Sequence, residues 1–588
     1  MLLAKMDDPA QVAKFIRDTH KGPPLKRTLQ VWKSSLMTVS SLGGAVASDM
    51  ASVASDLYST AVTAAGQAFS KDPGRVRFAE VPAKISGMLH STARALTEAR
   101  AMYGSGKGVA GGQPEMHGPM NALDRYGPMA GLRAETEFFY RWAYDGEVAA
   151  LATRQGLQKG LKGKALEEYR ARAQEKPESF MMDGKSFDKL ADTAAKHRTF
   201  QDRSPVAEAW TRFGEGKDRF GRPIENSAPM MDAARLASRF LMPFPRIAAN
   251  LSKAALEHSP IAHLVLPEVR TALKAGGTEA ALARGRMNAG TSAMAMVAYM
   301  VSKGLITGNG PVDPDERRAW LAAGNKENSL KVGDKRIELS LLGPVGAVAG
   351  LAANFAEILP KMSDGTIDNL GARVTMAFVK NLPAMRDYAK LGDLVHAATD
   401  WKDNGGKRAL QRLVATAVPN QISKANQLFD PYLHDTQTQM DEFRARIPGM
   451  SQGLAKRIDA WGTPIKNDSP GLSLFFPVRA SSVTDDPVRQ AAVALKVKLD
   501  APDRSLQIGK KPKLGTAKML ALNPQQYEQL SRLVGAEAHG EVEKMMATPL
   551  WARLKDEQKR EALKLAYSNG RKRGTSMFRR TLGVPEEE

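Results

Sequence analysis

Met287 to Ile306 reads MNAGTSAMAMVAYMVSKGLI, and Leu341 to Leu359 reads LLGPVGAVAGLAANFAEIL. Each stretch carries a single charge close to its end, Lys303 in the first and Glu357 in the second. At ~20 residues, each is just long enough as a helix to span the hydrocarbon of a bilayer, and the stem of Lys303 can snorkel to the interface. Both are built from Ala, Gly, Met and Val rather than Leu and Ile, so either one alone would insert only marginally. Between them, Thr307 to Ser340 is polar, and its tail from Ser329 alternates around Gly333-Asp334 as a short β-hairpin does. The unit therefore reads as helix, turn, polar hairpin, helix. Two readings stay open: a conditional membrane hairpin, or a buried helical hairpin of a soluble bundle. A mean hydropathy of −0.34 favours the second for the isolated chain. On the first reading the lipid-facing side chains are Met294, Met296, Val297, Tyr299, Met300, Val301, Leu342, Val345, Val348, Leu351 and Phe355.

Outward from this unit, the 588 residues are several times the ~100–150 of one domain, so more than one helical core is expected. The hydrophobic share of 43% is that of a globular chain, so the 50 Gly and 33 Pro punctuate helices rather than signal disorder. The fold class is mainly α: an elongated multi-helix architecture with a small β-hairpin insertion near 329–340. Composition and breakers divide it into an N-terminal helical region (1–110), a charged helical middle (111–230), a core carrying the candidate hairpin (231–365), a region with fixed turns (366–485) and a C-terminal helical region (486–588). Aromatic residues are scarce and Met and Ala abundant, which implies cores that pack loosely.

Several local features carry expectations. A short amphipathic helix covers Asp8 to His20, and a longer one runs from Thr28 to about Phe69 with an apolar stripe of Val46, Met50, Val53, Leu57 and Val62. The aromatic bunch TEFFYRWAYDGE, Thr136 to Glu147, could stack on bases but at helical spacing reads as a core seam. Pro243 and Pro245 make an apolar elbow beside Arg239 and Arg246. Further helices cover Asn369 to Asp400 and Lys407 to Gln427. Two C-terminal helices open on Asn523-Pro524 and Thr548-Pro549, an N-cap followed by Pro at the first helical position.

A formal net charge of +21 directs the surface toward polyanions, either nucleic acid or anionic lipid. Arg239, Arg246, Arg571, Lys572, Arg573, Arg579 and Arg580 are the candidates to contact them. Cysteine is absent, which excludes disulfides, thiolate metal sites and a cysteine nucleophile. The histidines never fall at the H-E-x-x-H spacing, so a histidine metal site is not expected. GSGKG at 104–108 lacks the P-loop spacing and a preceding strand. No nucleophile elbow, kinase set or dinucleotide fingerprint occurs. The expectation is a chain that is not an enzyme and takes no cofactor.

Several passages resemble a family of large tailed-bacteriophage proteins, the internal virion or DNA ejection proteins with large polyvalent protein-associated domains. They are RFLMPFPRIAANLSKAALEHSP (Arg239–Pro260), GLITGNGPVDPDERRAWLAAG (Gly304–Gly324), NSLKVGDKRIELSLLGPVGAVAGLAANFAE (Asn328–Glu357), AVPNQISKANQLFDPYLHDT (Ala417–Thr436), RIPGMSQGLAKRIDAWGTPI (Arg446–Ile465), LNPQQYEQL (Leu522–Leu530) and TPLWARLKDEQKREALKLA (Thr548–Ala566). The resemblance implies a mostly helical protein held in the virion interior, passed through the tail and reassembled across the host periplasm and inner membrane. Implied partners are other ejection proteins, further copies of the chain, portal or tail proteins, non-specific DNA and anionic lipid of the host inner membrane. Some members carry a lytic transglycosylase domain ahead of this region; the chain shows none, so peptidoglycan cleavage is not carried over. The alternative is a soluble basic protein that coats DNA or scaffolds inside the capsid, with no membrane role.

Overall fold

The computed structural model describes residues 39–103, 127–218, 220–224, 231, 235, 245–260, 262–311, 313–358, 426–468, 470–475, 481–482, 484–508 and 518–584. Asp8–His20, GSGKG, the Pro243 elbow with Arg239, the helix at Asn369–Asp400 and nearly all of Lys407–Gln427 lie outside the described residues. The rest is mainly helical with a few small antiparallel strand pairs. In chain order the elements are α1 (Val39–Gly66), α2 (Glu80–Met102), α3 (Pro128–Gln158), α4 (Gly163–Glu175), β1 (Met181–Met182), β2 (Lys185–Ser186), α5 (Phe187–Arg198), α6 (Pro205–Gly214), α7 (Pro245–Glu257), α8 (Pro267–Ala275) and α9 (Gly277–Ser302). There follow β3 (Ile306–Thr307), α10 (Pro314–Ala322), β4 (Ser329–Val332), β5 (Lys335–Glu338), α11 (Gly343–Ile358), β6 (Ser481–Ser482), α12 (Pro487–Ala494), β7 (Ser505–Ile508), β8 (Lys518–Ala521), α13 (Pro524–Met546) and α14 (Asp556–Thr581).

These elements gather into two compact units. One runs to Ser302 and resumes at Leu339; the other takes Lys303–Glu338 and nearly all described residues from 426 onward. The boundary cuts the helix–hairpin–helix passage: α9 and α11 belong to the first unit, and the hairpin between them to the second.

In the first unit α3 is the central helix, packed by α2, α4, α5 and α1. Its inner face places Tyr140, Ala143, Tyr144, Val148 and Leu151 against Tyr169 of α4 and Phe187, Ala191 and Ala195 of α5. The aromatic bunch is this seam. Each buried phenol keeps a partner, because an unpaired hydroxyl in a dry core is costly: Tyr140 donates to Asp192 Oδ1 at 2.7 Å and Tyr144 to Asp188 Oδ1 at 2.7 Å. Helix α1 departs from its expected stripe. Val53 is buried, but Val46 and Met50 are exposed, and the inward face is Asp49, Ser59, Thr60, Thr63 and Ala64. Small and polar side chains win that face because the neighbouring helices supply ions and carbonyls to pair with.

In the second unit β3, β4, β5 and β6 form one antiparallel sheet in that order, and the β4–β5 hairpin pairs Leu330 with Ile337 and Val332 with Lys335. Gly333 takes φ of +62° in its turn, where a side chain would be strained. Trp461, Val488, Ala492, Leu499, Val542, Leu563 and Tyr567 form the larger core, and Leu506, Leu522, Leu530, Val534 and Phe578 a second. The cap at Asn523 is a full capping box with Gln526. The passage after Thr548 is two helices rather than one: Pro549–Arg553 ends where Leu554 turns extended, and α14 opens after Lys555, whose backbone N–H donates to Gln558 Oε1 at 3.0 Å.

Helices α13 and α14 are antiparallel and meet on glycine. A Cβ at Gly574 would stand 2.5 Å from Val534 Cα, and one at Gly570 2.4 Å from Ala538 Cα. Gly574→Ala should therefore destabilise the chain by about 1–3 kcal/mol, the cost of overpacking a filled seam. Gly540→Ala, on α13 with nothing within 4 Å of its added carbon, should stabilise by about 0.5–1 kcal/mol through helix propensity. Urea unfolding of the two variants against the parent checks the pair of opposite signs.

Candidate functional site

Four helices of the first unit each contribute one ion to a buried cluster. Asp56 comes from α1, Lys84 from α2, Glu147 from α3 and Arg198 from α5. Lys84 Nζ lies 2.8 Å from Asp56 Oδ2 and 3.2 Å from Glu147 Oε2; Arg198 Nη2 lies 3.0 Å from Asp56 Oδ1 and 2.5 Å from Glu147 Oε2. Each cation bridges both anions, so the cluster is neutral. Remaining donors are also satisfied: Lys84 donates to Thr60 Oγ1 and Arg198 to the Ala143 carbonyl. Burial opposes ionisation of Asp56 and Glu147, but the facing Arg198 and Lys84 overcome it and hold both carboxyls below their ordinary range. Beside the cluster, Arg154 grips Glu80 with two parallel hydrogen bonds of 3.0 and 2.6 Å, both side chains buried.

A second group sits where α5 meets α7 and α9. His197 Nδ1 is 2.6 Å from Asp202 Oδ2 and its Nε2 2.9 Å from Glu257 Oε2, and Arg286 approaches the same Glu257 oxygen at 3.3 Å. Burial pulls the His197 imidazolium pKa down, yet the charge of Glu257 and the bonds to Asp202 and Glu257 lift it to about 9. Burial would raise Glu257, and His197 instead takes it to about 2. The next residue after Glu257 behaves oppositely: burial lowers His258. In neutral form its Nδ1–H donates to the Ala254 carbonyl at 2.8 Å, leaving Nε2 to accept from Ser55 Oγ at 3.1 Å. Acidic partners favour the charged form of His197, while burial favours the neutral form of His258.

Both groups face a cavity of about 1400 Å³, larger than the ~300–1,000 Å³ of common ligand sites. One wall is ionic: Asp56, Lys84, Glu147, His197, Arg198 and Glu257. The other is apolar and small, formed by Ala51 and Ala54 of α1, Ala293 and Val297 of α9, and Val345, Val348 and Ala349 of α11, with Leu342 just before α11. At the cavity's edge α9 approaches its neighbours as backbone: a Cβ at Gly285 would stand 2.9 Å from Thr63 Cβ, and one at Gly290 would collide with the His258 carbonyl.

The residues picked for lipid contact divide accordingly. Val297 and Val348 are buried, Leu342 and Val345 half-buried, and all four line the cavity. Met294, Met300 and Val301 are half-buried, while Met296 and Tyr299 are 67% and 62% exposed. The side chains of Leu351 and Phe355 lie outside the described residues. Among the described residues no helix is long and apolar enough to cross a membrane; α9 begins in charged residues at Glu279 and ends at Ser302, four residues before the expected stretch closes at Ile306.

The polyanion candidates are dispersed. Arg246 is half-buried on α7, and Arg239 lies outside the described residues. On α14, Arg571 meets Asp500 at 3.4 Å, Arg573 is bound by Glu541 with Glu537 at 3.7 Å, and Arg579 is buried, leaving Lys572 and Arg580 exposed. What reads as a basic run is thus largely answered by acids of neighbouring segments. Among the described residues no group of three His, Asp or Glu side chains is placed to hold a metal ion. The ionic cluster was not anticipated; its trace is ionic residues on faces otherwise made of Ala, Ser and Gly, as with Asp49 and Asp56 on α1 and Lys84 on α2.

Compared with known protein families, curated proteins and solved structures, the chain matches none.

Two measurements check the electrostatics. Arg198→Met leaves Lys84 alone against two buried carboxylates and should cost about 3–5 kcal/mol, as removing one partner of a buried pair does. Two groups make stability fall as pH rises, in adjoining windows. Asp49, buried against Glu135, is pushed from 3.8 to about 7 chiefly by burial, so the unfolded chain gives up this proton first and stability falls as pH climbs between those values. His197, raised from 6.5 to about 9, stabilises fully below 6.5, and its contribution fades as pH rises through 9. Glu135, raised well above its ordinary value by burial and by Asp49, adds to the first decline, so urea midpoints of Asp49→Asn should show a smaller first decline and keep the second.

Proposed function

We propose that this chain is a non-enzymatic structural protein of a tailed-phage virion, ejected with the genome and built into a conduit across the host periplasm and inner membrane. The observation that supports this reading is the seating of α9 and α11. They rest on α1 through Ala, Gly and Val, and part of their inner face borders a large cavity with an ionic far wall. Apolar side chains facing a void gain neither dispersion contacts nor full removal from water. Such a helix pair loses little on leaving its seat, and lipid supplies the apolar contacts that the cavity withholds. Separation from a compact unit is then a local opening of low free energy rather than global unfolding.

Other features agree. A chain without cysteine has no cross-link to break when threaded through a tail. The ions of the cluster reassemble only in one register, which suits refolding after passage. The excess of positive charge holds DNA backbone or anionic headgroups without reading bases. Partners on this reading are other ejection proteins, further copies of the chain, portal or tail proteins, non-specific DNA and anionic lipid of the host inner membrane.

The absence of native cysteine permits a clean test. Thr63→Cys with Gly285→Cys places two Cβ atoms within a small shift of the ~3.5–4.5 Å a disulfide needs. Dye leakage from anionic vesicles should be strong for the reduced double variant, abolished on oxidation and restored by reductant. Equal leakage in both redox states overturns the role of the α9–α11 pair. Salt-dependent DNA binding without leakage in either state assigns the chain to coating packaged DNA instead.

A further inference from the structure

Helix α2 is apolar on two sides. Its inner face, Ala83, Lys84, Gly87, Met88, Ser91, Ala95 and Ala99, is buried and packs on α3 and α1. Ile85, Leu89 and Leu96 point the other way and are 41%, 63% and 57% exposed; Phe78, just before the helix, is 56% exposed and Tyr103, just after it, 48%. At 3.6 residues per turn Ile85, Leu89 and Leu96 fall within an arc of about 40° and form one ridge along the helix, with Phe78 and Tyr103 exposed just beyond its two ends. Apart from Met88 and Lys84 the interior face is Ala, Gly and Ser, and the bulkier apolar side chains are set outside. A contiguous exposed ridge of this kind marks a contact surface, whereas scattered apolar residues do not.

Charge around the ridge selects the occupant. The acids of the segment are all engaged: Asp72 accepts from the Gly74 N–H, Glu80 is buried on Arg154, and Glu98 is bound by Arg141. Lys71 ahead of the helix and Arg100 in its last turn are exposed, and Arg94 keeps half its side chain in solvent while bound to Asp145. A second copy laid ridge to ridge would bring like charges together. An anionic bilayer answers both components, since its headgroups pair with the cations while its acyl boundary takes the Phe, Ile and Leu side chains. We infer that the outer face of α2 is a docking ridge by which the folded first unit lies on an anionic lipid surface.

This contact goes beyond the conduit reading, because the ridge is exposed while α9 and α11 remain packed. Flotation of the full chain with phosphatidylcholine vesicles, with and without phosphatidylglycerol, tests it. The parent should float with the anionic vesicles only. Leu89→Asp with Leu96→Asp, at exposed positions and therefore folded by circular dichroism, should weaken association by about tenfold or more; Leu89→Gln with Leu96→Gln serves if the acidic pair perturbs the helix. The oxidised Thr63→Cys, Gly285→Cys chain should float as well as the parent even though it no longer causes leakage, which separates this contact from release of α9 and α11. Undiminished flotation of both ridge variants overturns the inference. So does a parent that ignores anionic vesicles, or a parent dimer that the ridge variants turn to monomer without any lipid association.

Discussion

The first unit depends on four charges that cannot be satisfied separately. Asp56, Lys84, Glu147 and Arg198 come from four helices; Lys84 and Arg198 are buried, and the half-buried Asp56 and Glu147 stand at contact distance from both. Removing an ion from water costs several kcal/mol, recovered only when a partner of opposite sign stands at contact distance with the remaining donors bonded. That requirement fixes the helices relative to one another with a directionality that apolar contact lacks. Glu80 with Arg154, and His197 with Glu257 and Asp202, repeat the device at either side.

A unit specified by ions can use small side chains elsewhere, and it does. Helices α1 and α9 approach through Thr63 and Gly285, and α9 passes the His258 carbonyl at Gly290, where any side chain would collide. Ala and Gly bury little apolar area apiece, so such seams define geometry more than they add stability. The lining that α1, α9 and α11 give the cavity is likewise made largely of small side chains, among them Ala51, Ala54, Ala293, Val297 and Val348. The second unit is built differently: Trp461, Tyr567 and Leu563 fill its centre, and close glycine contacts bring α13 against α14 at Gly570 and Gly574 and against Gly462 at Gly535.

Local chemistry made much of this legible in advance. The mainly α character, the hairpin read at Ser329 to Ser340 and found at Ser329 to Glu338, the N-cap at Asn523 and the aromatic seam of Tyr140 and Tyr144 are present. Turn, cap and periodicity signals act over a few residues and survive without knowledge of the fold. The misreadings arise where a distant partner decides. Val46 and Met50 continue a regular stripe yet face outward, because α1 turns toward ions on α2 and α5. The basic run on α14 is offset by Asp500, Glu537 and Glu541 from elsewhere in the chain. Strands β3 and β6 have two residues each, too few to show a period.

By itself, the sequence determined the helical class, the punctuation, the net positive charge and the absence of thiol chemistry, because these follow from residue type and spacing alone. Only the tertiary structure decided which face of each helix is inside, which charges are paired, and that α9 and α11 share a unit from which the hairpin between them is excluded. The physical reason is that a charge or a small side chain has no preferred environment of its own; it takes one from whatever lies opposite, and that neighbour is commonly dozens to hundreds of residues away, as Arg198 is from Asp56.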